Sequence, residues 1–211
     1  MTIELKDISH RFGTSWILKS NTVLLPKGQV VALLGPNGSG KSTLLRILAT
    51  LLPPTRGDGL IFGDDLRKNK SEIRKKLHWL GHDFQLYQTL SARENLEFFY
   101  KLQGEKPNSE KIQETLREVS LFPHQHRPVS QFSAGMKKRL SLARLLLKET
   151  PLVLLDEPHT NLDQEGRLLM NRCIANWKKK GTTLILASHE ESTILPLCDT
   201  VMTLKEGHLH L

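Results

Sequence analysis

The feature that most constrains this chain is the passage from "VVALLG" (30–35) through "GPNGSGKST" (35–43) into "KSTLLRILATLL". A continuous apolar run has no polar face, so it reads as a parallel strand buried on both sides. The segment after the glycines has helical spacing and stops before Pro53-Pro54, which predicts a helix over 41–52. Between them, Gly35, Gly38 and Gly40 let the backbone curl so that successive N–H groups face one point. Strand, glycine-rich turn and helix start in that order form a phosphate cradle of the type GxxxxGK[ST]. Its loop comprises Pro36, Asn37 and Ser39 besides the glycines. Lys41 would reach the β- and γ-phosphates, Ser42 would offer its hydroxyl to Mg²⁺, and Thr43 would assist from the first helical turn.

Two further apolar runs end in residues suited to the same chemistry. "PLVLLDEP" is a second buried strand that puts Asp156 at its carboxyl end, next to where the phosphate-loop strand must end. Asp156 is expected to hold the hydration shell of Mg²⁺, and Glu157 to polarise a water for in-line attack on the γ-phosphate. An acidic pair after a strand more often caps a helix or solvates a loop; the phosphate cradle reverses that preference. "TTLILASH" is a third strand, and its terminal His189 is expected within reach of the γ-phosphate. Phe12 in "HRFG" can stack on adenine; packing into the core, or stacking by Trp16 instead, remains open.

The fold class expected is α/β: a P-loop NTPase core with a mostly parallel sheet, antiparallel strands at the N-terminus and a helical insertion. "TIELKDI" alternates like a strand, and "DTVMTLKEGHLHL" suggests a closing hairpin around Glu206-Gly207. "EGRLLMNRCIANWKKK" is a helix with Met170, Cys173, Ile174 and Trp177 on one face. Residues 83–150 differ in kind and read as helices: "SARENLEFFYKLQ", "SEKIQETLREVSLF" and "FSAGMKKRLSLARLLL". No repeat or linker appears, so 1–211 is expected to be one domain of two lobes, 1–82 with 151–211 forming the α/β core and about 83–150 the helical part.

At 211 residues, 38% apolar, the chain can bury a substantial core. No apolar run approaches the roughly 18–20 residues that span a bilayer, and "MTIELKDISH" lacks the apolar stretch of a signal peptide. A cytoplasmic location is expected, unless a partner holds the chain at a membrane. Cys173 and Cys198 form no metal-like cluster and are expected to be buried thiols. The net charge of +8 comes from dispersed cations without interleaved aromatics, which favours a solvated face over a nucleic-acid groove.

"FSAGMKKRLSLARLLL" (132–147) poses a charge problem. Ser133 fits an N-cap, and Met136, Leu140, Ala143 and Leu147 recur at helical spacing. Lys137, Lys138 and Arg139 then crowd early turns where the helix dipole is already positive, at about 0.3–1 kcal/mol per charge near an exposed start. Small residues, open N–H groups and three cations make an anion site, a second one in a chain that already has a better.

Together these residues resemble the ATP-binding subunits of ABC transporters, and the match covers essentially the whole chain. "GPNGSGKST" is similar to Walker A, "LVLLDEP" to Walker B, "TNLD" with Asp163 to the D-loop, and His189 to the switch histidine. Phe12 falls where the family has its adenine-stacking aromatic. "FSAGM" resembles the signature, with Ala134 for the first glycine, Gly135 for the second and Met136 for the final glutamine. The resemblance implies two nucleotide-binding subunits, identical or closely related, paired head-to-tail with ATP and Mg²⁺ between them. Ser133, Ala134, Gly135 and Met136 would then serve the nucleotide of the other subunit, which accounts for the second anion site. It also implies a separate transmembrane subunit and a place on the cytoplasmic face of the membrane. The family's Mg²⁺-sensing glutamine is missing from "WLGHDFQLYQTLSARENL"; counting back from Ser91 gives His82, Asp83 follows, and Gln85 fits only if the loop is remodelled. "WLGH", "LSARENLEFF" and the Ala-containing signature look most like the haem-exporter subunits of cytochrome c maturation. Another exporter of drugs, lipids or ions, or a soluble ATPase of the iron–sulfur-assembly type, is the alternative.

Overall fold

A computed structural model describes residues 3–210. Thr2, at the head of the first predicted strand, and Leu211, at the end of the predicted hairpin, lie outside the described residues. Contacts divide the chain into two compact units. The second holds His82–Glu149 and His159–Arg172; the first holds Thr150–Pro158 and the rest of the described residues.

The first unit contains two sheets. β1 (Ile3–Phe12), β2 (Ser15–Leu25), β4 (Arg56–Ile61) and β5 (Asp64–Asp65) form an antiparallel sheet in the order β2-β1-β4-β5. The other runs β10-β9-β3-β8-β7-β6, from β3 (Val30–Leu34), β6 (Leu77–Leu80), β7 (Leu152–Asp156), β8 (Thr183–Ser188), β9 (Thr200–Lys205) and β10 (His208–His210). All its neighbours are parallel except the β9–β10 hairpin. Every residue of β3, β7 and β8 is buried, as three uninterrupted apolar runs require. β8 stands between β3 and β7, so the strand bearing Asp156 is one place removed from the phosphate-loop strand rather than beside it. The core joins Ile3, Leu5 and Ile8 of β1 to Val31, Leu33, Leu154 and Ile185, with Leu44, Leu45, Ile47 and Leu48 of α1 (Lys41–Leu48) packed into it.

α1 ends four residues before the predicted Leu52. Thr50 adopts φ 58, its N–H bonds Ile47 O, and Leu51 N–H bonds Arg46 O, the pattern of a left-handed helix cap that usually takes glycine. Arg74, in α2 (Lys70–Lys75), holds the cap by donating to Thr50 Oγ1 at 2.9 Å and to its carbonyl at 3.0 Å. The stop is thus a tertiary contact, made before the prolines can act.

In the second unit α3 (Ala92–Leu102), α4 (Ser109–Glu118) and α5 (Ala134–Leu146) pack pairwise. Each begins at a side-chain cap: Ser91 with Glu94 in a reciprocal capping box, Asn108, and Ser133, whose Oγ accepts the Met136 N–H at 3.2 Å. Residues 159–172 belong with these helices and not, as expected from the sequence, with the α/β core. Arg139 of α5 is one of the contacts that tie them there, pairing with Asp163 at 2.7 Å and Glu165 at 3.3 Å. α6 (Gln164–Lys179) buries Met170, Cys173, Ile174 and Trp177 on the face expected, and Leu169 beside them. Cys173 is buried, but Cys198 is only partly so. Among the described residues no helix is long and apolar enough to cross a membrane.

Candidate functional site

β3, β7 and β8 end level with one another, since Leu34 pairs with Ser188 and Asp156 with Ala187. The residues that follow them (Gly35, Glu157 and His189) therefore emerge at one sheet edge, as the sequence reading required. Gly35 has φ +150, and a Cβ there would come within 2.4 Å of the Leu204 carbonyl, so no other residue fits this turn. At Gly38 the space is open: a Cβ would meet nothing within 4 Å. α1 then starts at Gly40 without a side-chain cap and without an acidic residue in its first turn. Its leading N–H groups are left to an anion, which they and the helix dipole favour.

Lys41 is buried, and its ammonium folds back to donate to Gly35 O at 2.6 Å and Pro36 O at 3.1 Å. Burial lowers its pKa, opposed by the nearby charges of Glu157 and Asp156. The Lys41 ammonium therefore lies within electrostatic reach of both carboxylates at the strand ends. Asp156 is only 2% exposed, while Ser42 is exposed on the first turn of α1.

Glu157 and His189 are joined rather than separate. Glu157 Oε1 lies 2.9 Å from His189 Nδ1 and accepts the His189 N–H at 3.2 Å; Oε2 accepts the Ser188 hydroxyl at 3.2 Å. An ionised carboxylate can only accept, so the proton of the ring contact sits on Nδ1. Glu157 itself has φ +47, strained for a residue with a side chain, and its N–H is anchored on Ala187 O. Sequence reasoning missed Ser188; its only signal was adjacency to His189.

The two aromatic candidates differ. Trp16 is taken up by Arg11 and Arg56, whose guanidinium carbons lie 5.6 and 5.2 Å from its ring. Phe12 is 52% exposed and has one ring contact, edge-on with His10 at 4.7 Å. Phe12 is therefore not a core residue, and it is the ring with a face to offer.

In the second unit the start of α5 presents Ser133 and Ala134 exposed, with Gly135 and Met136 half-buried. The three cations that looked misplaced are not equivalent. Lys138 and Arg139 are buried, and Arg139 is committed to Asp163 and Glu165. Asp163 also accepts the Gly166 N–H at 2.9 Å, and the Arg139 bond holds its carboxyl below the usual range. His82, Asp83 and Gln85 are all exposed, in a loop that lines a cavity of about 680 Å³ together with Ala134 and Asn161. The Gln85 amide oxygen accepts from Arg144 at 3.0 Å.

The family model described as "ABC transporter" matches residues 18–160. This chain belongs to the ABC transporter family. As an ABC protein it is an ATP-binding subunit, and its fold is that of the ABC ATPase cassette. The ABC transporter ATP-binding protein NatA of Bacillus subtilis (strain 168) is 31% identical over 214 residues, covering 98% of this chain and 87% of NatA. The cytochrome c biogenesis ATP-binding export protein CcmA of Pseudomonas aeruginosa is 37% identical over 189 residues, covering 90% of this chain and 93% of CcmA. A solved dimeric structure of a bacterial ABC transporter cassette superposes with a TM-score of 0.89 at 25% identity, covering 99% of this chain and 97% of that one.

Proposed function

We propose that the chain hydrolyses ATP with Mg²⁺ and uses the cycle of binding and hydrolysis to drive a separate transmembrane subunit, in haem export for cytochrome c maturation. The observation that carries the reading is the convergence of Lys41, Asp156, Glu157 and His189 at the ends of β3, β7 and β8. The loop's N–H groups up to Thr43, those of Asn37 and Ser39 among them, receive the phosphates, and Phe12 receives the adenine face. Pro36 contributes no N–H and only shapes the turn after Gly35. Lys41 exchanges the loop carbonyls that it now holds for phosphate oxygens.

The donor set suits Mg²⁺. Ser42 and Asp156 supply hard oxygens, and among the described residues no group of three or more His, Cys, Asp or Glu gathers to form a dedicated cage. Mg²⁺ is commonly bound that way, by one or two carboxylates together with substrate phosphates. When bound, it neutralises charge developing on the phosphates. Of the loop residues, Asp83 or His82 takes the place of the family's sensing glutamine, since Gln85 already serves Arg144.

Glu157 is the general base. The donors from His189 and Ser188 hold its carboxylate in place, and in that position it accepts a proton from the attacking water. Ser133, Ala134, Gly135 and Met136, with Asp163 of the D-loop, act on the nucleotide of a second subunit, and the dimeric relative supports that pairing. The likeness to CcmA, a cytochrome c biogenesis ATP-binding export protein, supports export in cytochrome c maturation, and Gly81-His82 with the Ala-containing signature points the same way. The working place is the cytoplasmic face of the membrane.

The experiment is Glu157→Gln. Hydrolysis should fall by about 10²–10⁴-fold, the range for losing a general base, while ATP binding persists and an ATP-bound dimer accumulates in size-exclusion chromatography. Normal turnover by the variant would remove Glu157 from the role. Co-purification from detergent-solubilised membranes tests the transport arm: recovery of soluble partners alone would count against it.

A further inference from the structure

Ser141 and Arg144 stand three residues apart on α5 and share a face. Ser141, fully buried, donates its hydroxyl to the Phe84 carbonyl at 2.8 Å. Arg144, on the same side, forks onto the next residue of that loop. Its Nη2 donates to Gln85 Oε1 at 3.0 Å and its Nη1 to the Gln85 carbonyl at 3.3 Å. The guanidinium also lies 5.3 Å from the centroid of the Phe99 ring on α3. Burial lowers the Arg144 pKa to about 10, which leaves the charge intact at neutral pH.

The residue so gripped is a strained one. Gln85 has φ +51, a left-handed conformation that persists in a residue with a side chain only where its surroundings enforce it. Two donors on α5 fix the carbonyls of Phe84 and Gln85, and a third bond fixes the Gln85 side chain. Residues 82–88 line the cavity whose wall includes Ala134, the first residue of α5. Helix and loop thus meet twice, through the fork in the body of α5 and around the cavity at its start.

We infer that Arg144 is a positioning residue that locks the 82–88 loop to α5, so that His82, Asp83 and the Ser133-capped start of the helix shift as one body. Gln85 is the tether in this arrangement and not a metal contact. The inference goes beyond the proposed function but borrows hydrolysis as one readout, so a second readout independent of ATP is needed.

The test is a double-variant cycle on the full chain. Gln85→Ala removes one acceptor, Arg144→Met removes the fork but keeps an apolar stem beside Phe99, and Arg144→Lys keeps the charge but not the paired geometry. Gln85→Ala should lower kcat about fivefold and Arg144→Met about tenfold, within the range of couplings between contacting residues. The double variant should be no slower than Arg144→Met, KM for ATP should stay within about twofold, and Arg144→Lys should recover part of the loss. Multiplying losses, or an unchanged kcat beside a lowered unfolding midpoint, would overturn the role. Hydrogen exchange of the free protein supplies the independent readout. Both single variants should speed exchange in 84–88 and in 133–137 together, whereas acceleration confined to 84–88 would show that loop and helix start are not locked. Should Arg144→Met fail to fold, Gln85→Ala carries the exchange test alone. If the unaltered chain hydrolyses no ATP, the proposed function fails while the exchange result still decides the lock.

Discussion

The strand-end cradle and the loops around α5 hold their functional groups by different means. In the cradle the backbone does the placing: three parallel strands in register deliver Gly35, Glu157 and His189 to one edge, and glycine conformations turn the N–H groups inward. Around α5 side chains do the placing. Arg139 holds Asp163 and Glu165, Ser141 and Arg144 hold Phe84 and Gln85, and His159 meets Asn171 at 2.7 Å. A site made by strand register moves only when the sheet moves. A site made by a few polar side-chain contacts moves with the helix that carries them, and a single substitution can release it.

Two glycines give the sharpest way to break this contrast. Gly35→Ala puts a methyl 2.4 Å from the Leu204 carbonyl at φ +150, and backbone on both sides must yield. The expected loss is about 3 kcal/mol or more in urea unfolding, from strain at a special φ added to a steric clash, and ATP binding should go with it. Gly135→Ala meets the Asn161 carbonyl at 3.0 Å and the Ser133 hydroxyl at an ordinary 3.9 Å, and Gly135 sits in a helical turn where alanine is favoured by about 1 kcal/mol. Its stability should be nearly unchanged, the helical gain offsetting the tight contact. Equal losses at the two positions would mean that the start of α5 is as rigidly built as the phosphate loop. A smaller effect is expected at the cap. Ser133→Ala should cost about 1 kcal/mol in the same assay by removing the acceptor for the Met136 N–H.

The contrast also explains what could be foreseen from residues alone. The cradle was legible because each element of it is local: an apolar run, a glycine turn and a helix start carry their conformation in their own composition. The capped start at Ser133 was legible for the same reason, since cap and target lie within three residues; the caps at Ser91 and Asn108 are equally local but were not read from the sequence. Tertiary contacts were not. The end of α1 depends on Arg74 gripping Thr50 across 24 residues, and Gln85 was left open because its partner Arg144 is 59 residues away. Arg139 misled most. Its charge suggested an anion arriving from elsewhere, yet two carboxylates of its own unit already answer it. The same argument lowers the positive charge available at the start of α5, where the N–H groups and Ser133 are what an anion would meet.

The mildest test concerns that pair under acid. The Arg139 bond, followed by the Gly166 N–H, depresses the Asp163 carboxyl. A carboxylate whose folded pKa lies below its unfolded value of about 3.9 adds stability above that value and loses it as pH falls through the folded pKa. Asp163 is largely exposed, so water screens the pair and its worth should stay below about 1 kcal/mol. Asp163→Asn should therefore be slightly less stable than the unaltered chain at pH 6, and the gap should close as both are taken toward pH 2–3. Chemical unfolding of the two proteins across that range measures it directly. A gap that persists at the acid end would trace the loss to the Gly166 bond or to packing, and Arg139 would then owe its place to Glu165.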